Sequence, residues 1–151
     1  MTNLLTYEVT DGIAVLTVDS PPVNALGYDV RKSIVDGFEK ASADVDINAI
    51  VLICKGRTFF AGADIREFGT EPKFPILPEV IATIESSPKL TIAALHGTPL
   101  GGGLETALAC HYRVALATTR VGLPEVKLGL LPGAGGTQKL PRLTGIPSAL
   151  E

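Results

Sequence analysis

Ala49-Ile50-Val51-Leu52-Ile53-Cys54 is an unbroken apolar run rich in β-branched residues, the pattern of a strand in a parallel sheet with both faces covered. Leu90 to Leu95 reads the same way, and Tyr112 to Ala117 is a third candidate strand. Upstream, Val30, Ile34, Val35, Phe38 and Ala41 recur at helical spacing from Tyr28, placing Arg31, Lys32, Asp36 and Glu39 away from the apolar stripe. Further helical stretches fall at Pro78 to Glu85 and Leu104 to Cys110. Helix alternates with strand, so the expected class is α/β. Ahead of the first helix, Tyr7, Val9, Ile13, Val15 and Thr17 read as one side of two alternating runs joined by Asp11-Gly12, with Leu16 and Val18 on the other. That is a β-hairpin. Ser20-Pro21-Pro22-Val23-Asn24 then interrupts regular structure, because two prolines fix φ and remove two donors.

Composition narrows the partners. The chain has 151 residues, 46% hydrophobic and 19% charged, enough for one compact domain. Thirteen basic residues face 16 acidic ones, a net charge of -3, which leaves no cationic excess for a phosphate backbone and argues against nucleic acid. No apolar run approaches the ~18 to 20 residues a bilayer span needs. Glu8 and Asp11 stand where a secretory signal needs a basic start and an apolar core, so export is not expected. Cys54 and Cys110 lie in apolar runs without a C-x-x-C or Cys/His cluster, which implies buried reduced thiols and no metal site. Sixteen glycines and 11 prolines punctuate the periodic segments as tight turns, with no repeat or linker between domains. Ile146-Pro147-Ser148-Ala149-Leu150-Glu151 reads as a helix start. A single turn does not recover its nucleation cost, so the expectation is a chain truncated from a longer one, with apolar surface left bare.

Three segments pair small residues with a carboxylate. In Phe60-Ala61-Gly62-Ala63-Asp64-Ile65, small residues let a ligand approach the backbone and Asp64 can cap a helix; a capped turn accounts for the same pattern. Gly97-Thr98-Pro99-Leu100-Gly101-Gly102-Gly103-Leu104-Glu105 runs from strand through glycines into a helix, leaving N–H groups open where the helix dipole suits an anion or a developing oxyanion. It lacks the Lys-Ser/Thr of a P-loop and the third glycine of a dinucleotide fingerprint. Glu105, in the first turn, serves either as a base kept ionised by that field or only as a complement to the dipole. Glu125, in Val121-Gly122-Leu123-Pro124-Glu125-Val126, has apolar neighbours and is expected to keep its proton, as an acid does. Two glutamates with opposite environmental biases divide acid and base work. His96 and His111 have no G-x-S-x-G partner and read as structural, and Arg66 and Lys73 fit either an anionic ligand or a solvated surface.

Ser20-Pro21-Pro22-Val23-Asn24-Ala25, Ala61-Gly62-Ala63-Asp64-Ile65, Leu100 to Glu105, Cys110-His111-Tyr112-Arg113, Val121 to Glu125 and Leu131-Pro132-Gly133-Ala134-Gly135-Gly136-Thr137-Gln138 together resemble the crotonase (enoyl-CoA hydratase/isomerase) superfamily. The resemblance covers essentially the whole chain and is strongest to the N-terminal hydratase domain of bifunctional enoyl-CoA hydratase/3-hydroxyacyl-CoA dehydrogenases. It implies an α/β spiral of ββα units, with residues 1–151 forming its N-terminal core, truncated before the C-terminal helices. By position, Ala63 and Gly102 would supply the oxyanion hole and Glu105 and Glu125 the catalytic pair. Ala61, Asp64, Ile65, Gly101 and Gly133 would contact substrate. The implied reaction is hydration of trans-2-enoyl-CoA to 3-hydroxyacyl-CoA in fatty-acid β-oxidation, a lyase activity, with double-bond isomerisation or an inactive acyl-CoA-binding fragment as alternatives. The implied partner is an acyl-CoA thioester. Coenzyme A is part of the substrate, and no metal or other cofactor is called for. The resemblance also implies a homo-oligomer, a dehydrogenase part in the full-length protein, and a cytoplasmic location, peroxisomal in a eukaryote. Thr98-Pro99 and Thr106 depart from the family pattern.

Overall fold

A computed structural model describes residues 4–150. Strands β1 (Leu5–Thr10) and β2 (Ile13–Val18) form the expected hairpin. Its turn residues, Asp11 and Gly12, have φ of 50° and 74°, the left-handed pair of a type I′ turn. This two-residue turn pairs Leu5 with Val18, Tyr7 with Leu16 and Val9 with Ala14. Tyr7 and Val9 therefore share a face with Leu16 and Val18, and the grouping with Ile13, Val15 and Thr17 read from the sequence is corrected. Counting alternation straight through the turn shifts one strand's parity.

Helix α1 (Tyr28–Ala43) leads to β3 (Ala49–Cys54), then α2 (Leu77–Glu85), β4 (Leu90–Leu95), α3 (Gly102–Ala109) and β5 (Tyr112–Ala115), with α4 (Gly136–Thr144) and α5 (Ile146–Ala149) closing the described chain. Short 3-10 helices span Ile65–Glu67 and Pro124–Leu128. The sheet order is β1-β2-β3-β4-β5, antiparallel for the first pair and parallel thereafter. Because strand order advances in one direction, right-handed crossovers put the connecting helices on one face. That face is the core: Ala14, Leu16, Val18, Ile50, Leu52, Cys54 and Ala93 are buried with Val30, Ile34, Phe38, Val80 and Ile84. The opposite face is only partly covered, with Val51 and Ile53 half-buried and Leu90, Tyr112 and Val114 exposed. The expectation of strands covered on both sides is corrected here.

After each parallel strand the chain makes a short extended passage before its helix, and these passages pair with one another. Leu26 bridges Ala63 and Leu100 bridges Gly122, both in parallel. The Leu26 N–H donates to the Gly62 carbonyl at 2.9 Å, and the Gly101 N–H to that of Gly122 at 2.9 Å. Strand, bridge segment and helix thus repeat as a spiral of ββα turns.

Two side chains staple the turns. Asn24, buried and at φ 51°, donates from Nδ2 to the carbonyls of Lys55 (2.8 Å) and Thr58 (2.9 Å) and accepts the Ser20 N–H at 2.7 Å. Arg31, read from periodicity as facing away, is buried at 7% exposure, a correction made possible by the acceptors around its guanidinium. Helix α4 escapes the sequence reading because Pro141 lies inside it and glycines precede it. It is tied to α2 by a Lys139–Glu85 ion pair. Around α4 and α5, Val126, Leu128, Leu131, Leu143, Ile146 and Leu150 are exposed, so bare apolar surface does occur there.

Asn24→Ala strands the Lys55 and Thr58 carbonyls and the Ser20 N–H, and should lower unfolding stability by about 3 kcal/mol. Urea denaturation would show a lower midpoint at unchanged slope; a change under ~1 kcal/mol contradicts the staple.

Candidate active site

The glycines at the start of α3 are set by how closely the spiral turns approach. A Cβ on Gly103 would lie 1.9 Å from the Phe60 carbonyl oxygen, so only a bare backbone fits. That contact seats the first turn of α3 against the Phe60–Ala63 passage. A Cβ built on Gly102 would lie 3.7 Å from the Ala63 nitrogen, so the two peptide units are neighbours. Among the described residues, neither the Ala63 nor the Gly102 N–H has a hydrogen-bond acceptor. Both border a cavity of about 270 Å³, which Ala61, Ile65, Phe68, Gly101, Glu125 and Leu130 also line.

The two glutamates reach this region differently. Glu105 is 1% exposed, and its Oε1 accepts the N–H groups of Ala134 (2.8 Å) and Gly136 (2.9 Å) at the entry to α4. Its amide donors therefore come from the start of a second helix, and Gly136 leaves the room, since a Cβ there would meet Oε1 at 3.0 Å. Glu105 is not among the residues lining the cavity; Glu125 is. Glu125 Oε2 is buried without a hydrogen-bond partner. Burial pushes its carboxyl above the usual range, a backbone hydrogen bond opposes this, and the charge of Glu105 adds to the rise. Of the apolar neighbours read from the sequence, Leu128 and Leu130 line the cavity with Glu125, whereas Val121 and Val126 are exposed and Glu125 itself is half-buried.

The remaining predicted residues divide. Ala61, Ile65 and Gly101 line the same cavity as Ala63, Gly102 and Glu125. Asp64 borders a second cavity of about 530 Å³, beside Arg31, Arg66, Glu67, Lys73 and Leu77. It caps the short helix through the Arg66 N–H at 3.0 Å and pairs with the Arg66 guanidinium, which with the amide hydrogen bond outweighs burial and lowers its pKa. Arg66 is thus paired and Lys73 lies 5.9 Å above the Tyr28 ring. Gly133 lines neither cavity and belongs to the loop that delivers the Ala134 N–H to Glu105. The departures from the family pattern are absorbed: the Thr98 N–H bonds Thr58 Oγ1 at 2.8 Å, and Thr106 Oγ1 donates to the Gly102 carbonyl at 2.8 Å. His96 and His111 hold the Gly56 carbonyl and Thr91 respectively. Cys54 and Cys110 are buried free thiols, and burial pushes Cys110 up to about 12. Among the described residues no three His, Cys, Asp or Glu side chains converge as a metal-ligand set, and no helix is long and apolar enough to cross a membrane.

The profile of the family described as Enoyl-CoA hydratase/isomerase matches residues 8–151. The chain belongs to that family. It is 49% identical over 146 residues to the peroxisomal bifunctional enzyme of Danio rerio, a match covering 96% of this chain and 20% of that protein. To the probable enoyl-CoA hydratase of Bacillus subtilis (strain 168) it is 42% identical over 156 residues, covering 99% of this chain and 60% of the relative. The solved structure of Pseudomonas aeruginosa DspI superposes with a TM-score of 0.90 at 37% identity, over 98% of this chain and 59% of that one. The chain therefore has the crotonase fold, and spans about a fifth of the bifunctional relative and about 60% of the shorter protein.

Arg31 and the loop amides of Ala134 and Gly136 are the parts of the site that the sequence reading did not find. An arginine inside a helical stripe and a loop of bare glycines carry no local signal of their partners.

Because the Glu105 charge adds to the rise at Glu125, Glu105→Gln should move the Glu125 titration midpoint downward, toward an ordinary carboxylate. Carboxyl-carbon NMR of labelled protein reads the midpoint, and an unmoved Glu125 resonance contradicts the coupling.

Proposed function

We propose that the chain binds a trans-2-enoyl-CoA thioester and adds water across its double bond, giving 3-hydroxyacyl-CoA in fatty-acid β-oxidation. In this reading the thioester oxygen accepts the Ala63 and Gly102 N–H groups. Glu105 removes a proton from water as its oxygen bonds to the β-carbon, the electron pair of the double bond moves toward the carbonyl, and Glu125 delivers a proton to the α-carbon. Charge on the thioester enolate is then met by donors already in place. The observation that carries the reading is the pair of acceptor-free amides bordering the cavity into which Glu125 faces. Oxygen and protons balance with water alone, so the reaction needs no group beyond the coenzyme A of the substrate.

A second reading has its own support. Glu125 lines the cavity whereas Glu105 does not, and a single carboxyl with an unpartnered oxygen suits proton transfer between α- and γ-carbons. Glu105 would then serve only to raise the Glu125 pKa. The resemblance to bifunctional proteins adds to the proposal a dehydrogenase part in the full-length protein that oxidises the 3-hydroxyacyl product, and a homo-oligomeric state. Cytoplasmic placement, peroxisomal in a eukaryotic source, is proposed with it, supported by relatives named peroxisomal.

Loss of the conjugated thioester absorbance of crotonyl-CoA tests hydration. Each of Glu105→Gln and Glu125→Gln should lower kcat by about 10² to 10⁴-fold. Full rate in Glu105→Gln removes Glu105 from the chemistry. Retained double-bond migration in that variant, lost in Glu125→Gln, selects the isomerase reading. Absence of turnover with retained acyl-CoA binding selects a binding fragment.

A further inference from the structure

Arg31 is a buried cation at the start of α1 with no part in the chemistry above, and its hydrogen-bond pattern is specific. Nε donates to the Pro75 carbonyl at 2.7 Å, Nη1 to the Leu26 carbonyl at 2.7 Å and to Glu67 Oε2 at 2.8 Å, and Nη2 to the Lys73 carbonyl at 3.1 Å. Glu67 completes the arrangement by accepting the Tyr28 N–H at 2.6 Å, capping a helix whose own cap residue, Gly27, has no side chain to do so. Burial works against the Glu67 charge, but the hydrogen bonds from Arg31 and Tyr28 and the Arg31 charge outweigh it and hold its carboxyl below the usual range.

Two of these ties reach Ala63, one across the bridge to Leu26 and one along the chain from Glu67. Leu26, held through its carbonyl, bridges Ala63 and donates its N–H to the Gly62 carbonyl. Glu67, held through its carboxylate, ends the short helix that begins two residues after Ala63. The other two ties fix the far end of the same loop, at Lys73 and Pro75, where it walls the cavity of about 530 Å³. A buried guanidinium is a costly way to fill space, and an apolar side chain would do that better. What it supplies instead is direction, because its planar fork fixes several acceptors relative to one another.

We propose that Arg31, acting with Glu67, is a positioning residue that holds the Ala63 N–H in register with the Gly102 N–H before the thioester arrives. The proposal rests on reading those two amides as the carbonyl donors. It predicts that weakening the clamp disturbs polarisation of the bound carbonyl more than it disturbs binding. Lysine keeps the charge but cannot reach four acceptors in a plane, and Glu67→Gln keeps an acceptor for Tyr28 while removing the charge opposite Arg31.

The experiment uses 4-(dimethylamino)cinnamoyl-CoA, a conjugated thioester whose absorption moves to the red when its carbonyl is polarised, with wild type, Arg31→Lys and Glu67→Gln, each checked for folding by circular dichroism. Wild type should red-shift the bound chromophore. Arg31→Lys should bind it within about threefold of the wild-type Kd yet lose about half or more of the shift, and Glu67→Gln should lose a smaller part. If Arg31→Lys does not fold, the partial loss in Glu67→Gln carries the test. A full shift in the folded variants overturns the positioning role and leaves the proposed function standing. A shift lost only in step with affinity overturns it too, as the mark of a general structural role. No shift with bound wild type overturns both, because the amides then do not meet the carbonyl.

Discussion

The contact between the bare backbone of Gly103 and the carbonyl oxygen of Phe60 is the constraint from which the site follows. With no room for a Cβ at Gly103, helix α3 can start directly against the passage after β3. Two peptide units from different turns of the spiral, those of Ala63 and Gly102, then become neighbours, each with an N–H that has no acceptor among the described residues. Sheet register alone would not do this, since β3 and β4 fix only where the turns begin. The second ladder, in which Leu26 bridges Ala63 and Leu100 bridges Gly122, keeps the passages aligned up to the helix starts.

Once α3 is seated, the charges fall into place unequally. Glu105 points back from the first turn of α3 to the amides of Ala134 and Gly136, so one oxygen is anchored. Glu125 enters from a short 3-10 helix, with one oxygen buried and unpartnered. A carboxyl with one oxygen buried and unpartnered is costly as an anion, and the neighbouring charge makes it costlier. The fold thus separates two chemically identical side chains by what surrounds them, which is the basis on which the proposed hydration gives them different roles.

The architecture was legible wherever the signal is periodic. Ala49–Cys54, Leu90–Leu95 and the stripe from Tyr28 announce strand, strand and helix, and the hairpin announces itself by Asp11-Gly12. Reading failed where tertiary partners override the local pattern. Arg31 reads as solvated by its charge although a helical wheel sets it between Phe38 and Val35 on the apolar stripe, and the carbonyls of Leu26, Lys73 and Pro75, brought close by the spiral, are what make its burial tolerable. The second sheet face looked covered because Val51 and Ile53 are as apolar as Ile50 and Leu52, yet the helices lie on one side only. Pro141 hid α4 for the opposite reason, a local breaker tolerated by a short helix docked on its neighbours. The glutamates and small-residue segments were visible as types at positions. The amides that anchor Glu105 were not, because backbone donors leave no trace in side-chain identity.

The most direct measurement is a crystal structure of this chain with a bound acyl-CoA whose carbonyl mimics that of an enoyl thioester, such as acetoacetyl-CoA. The account predicts the thioester oxygen at roughly 2.7 to 3.1 Å from both the Ala63 and Gly102 nitrogens, with the α-carbon facing Glu125. A ligand whose carbonyl is turned away from those two amides, or whose α-carbon lies out of reach of Glu125, would contradict it.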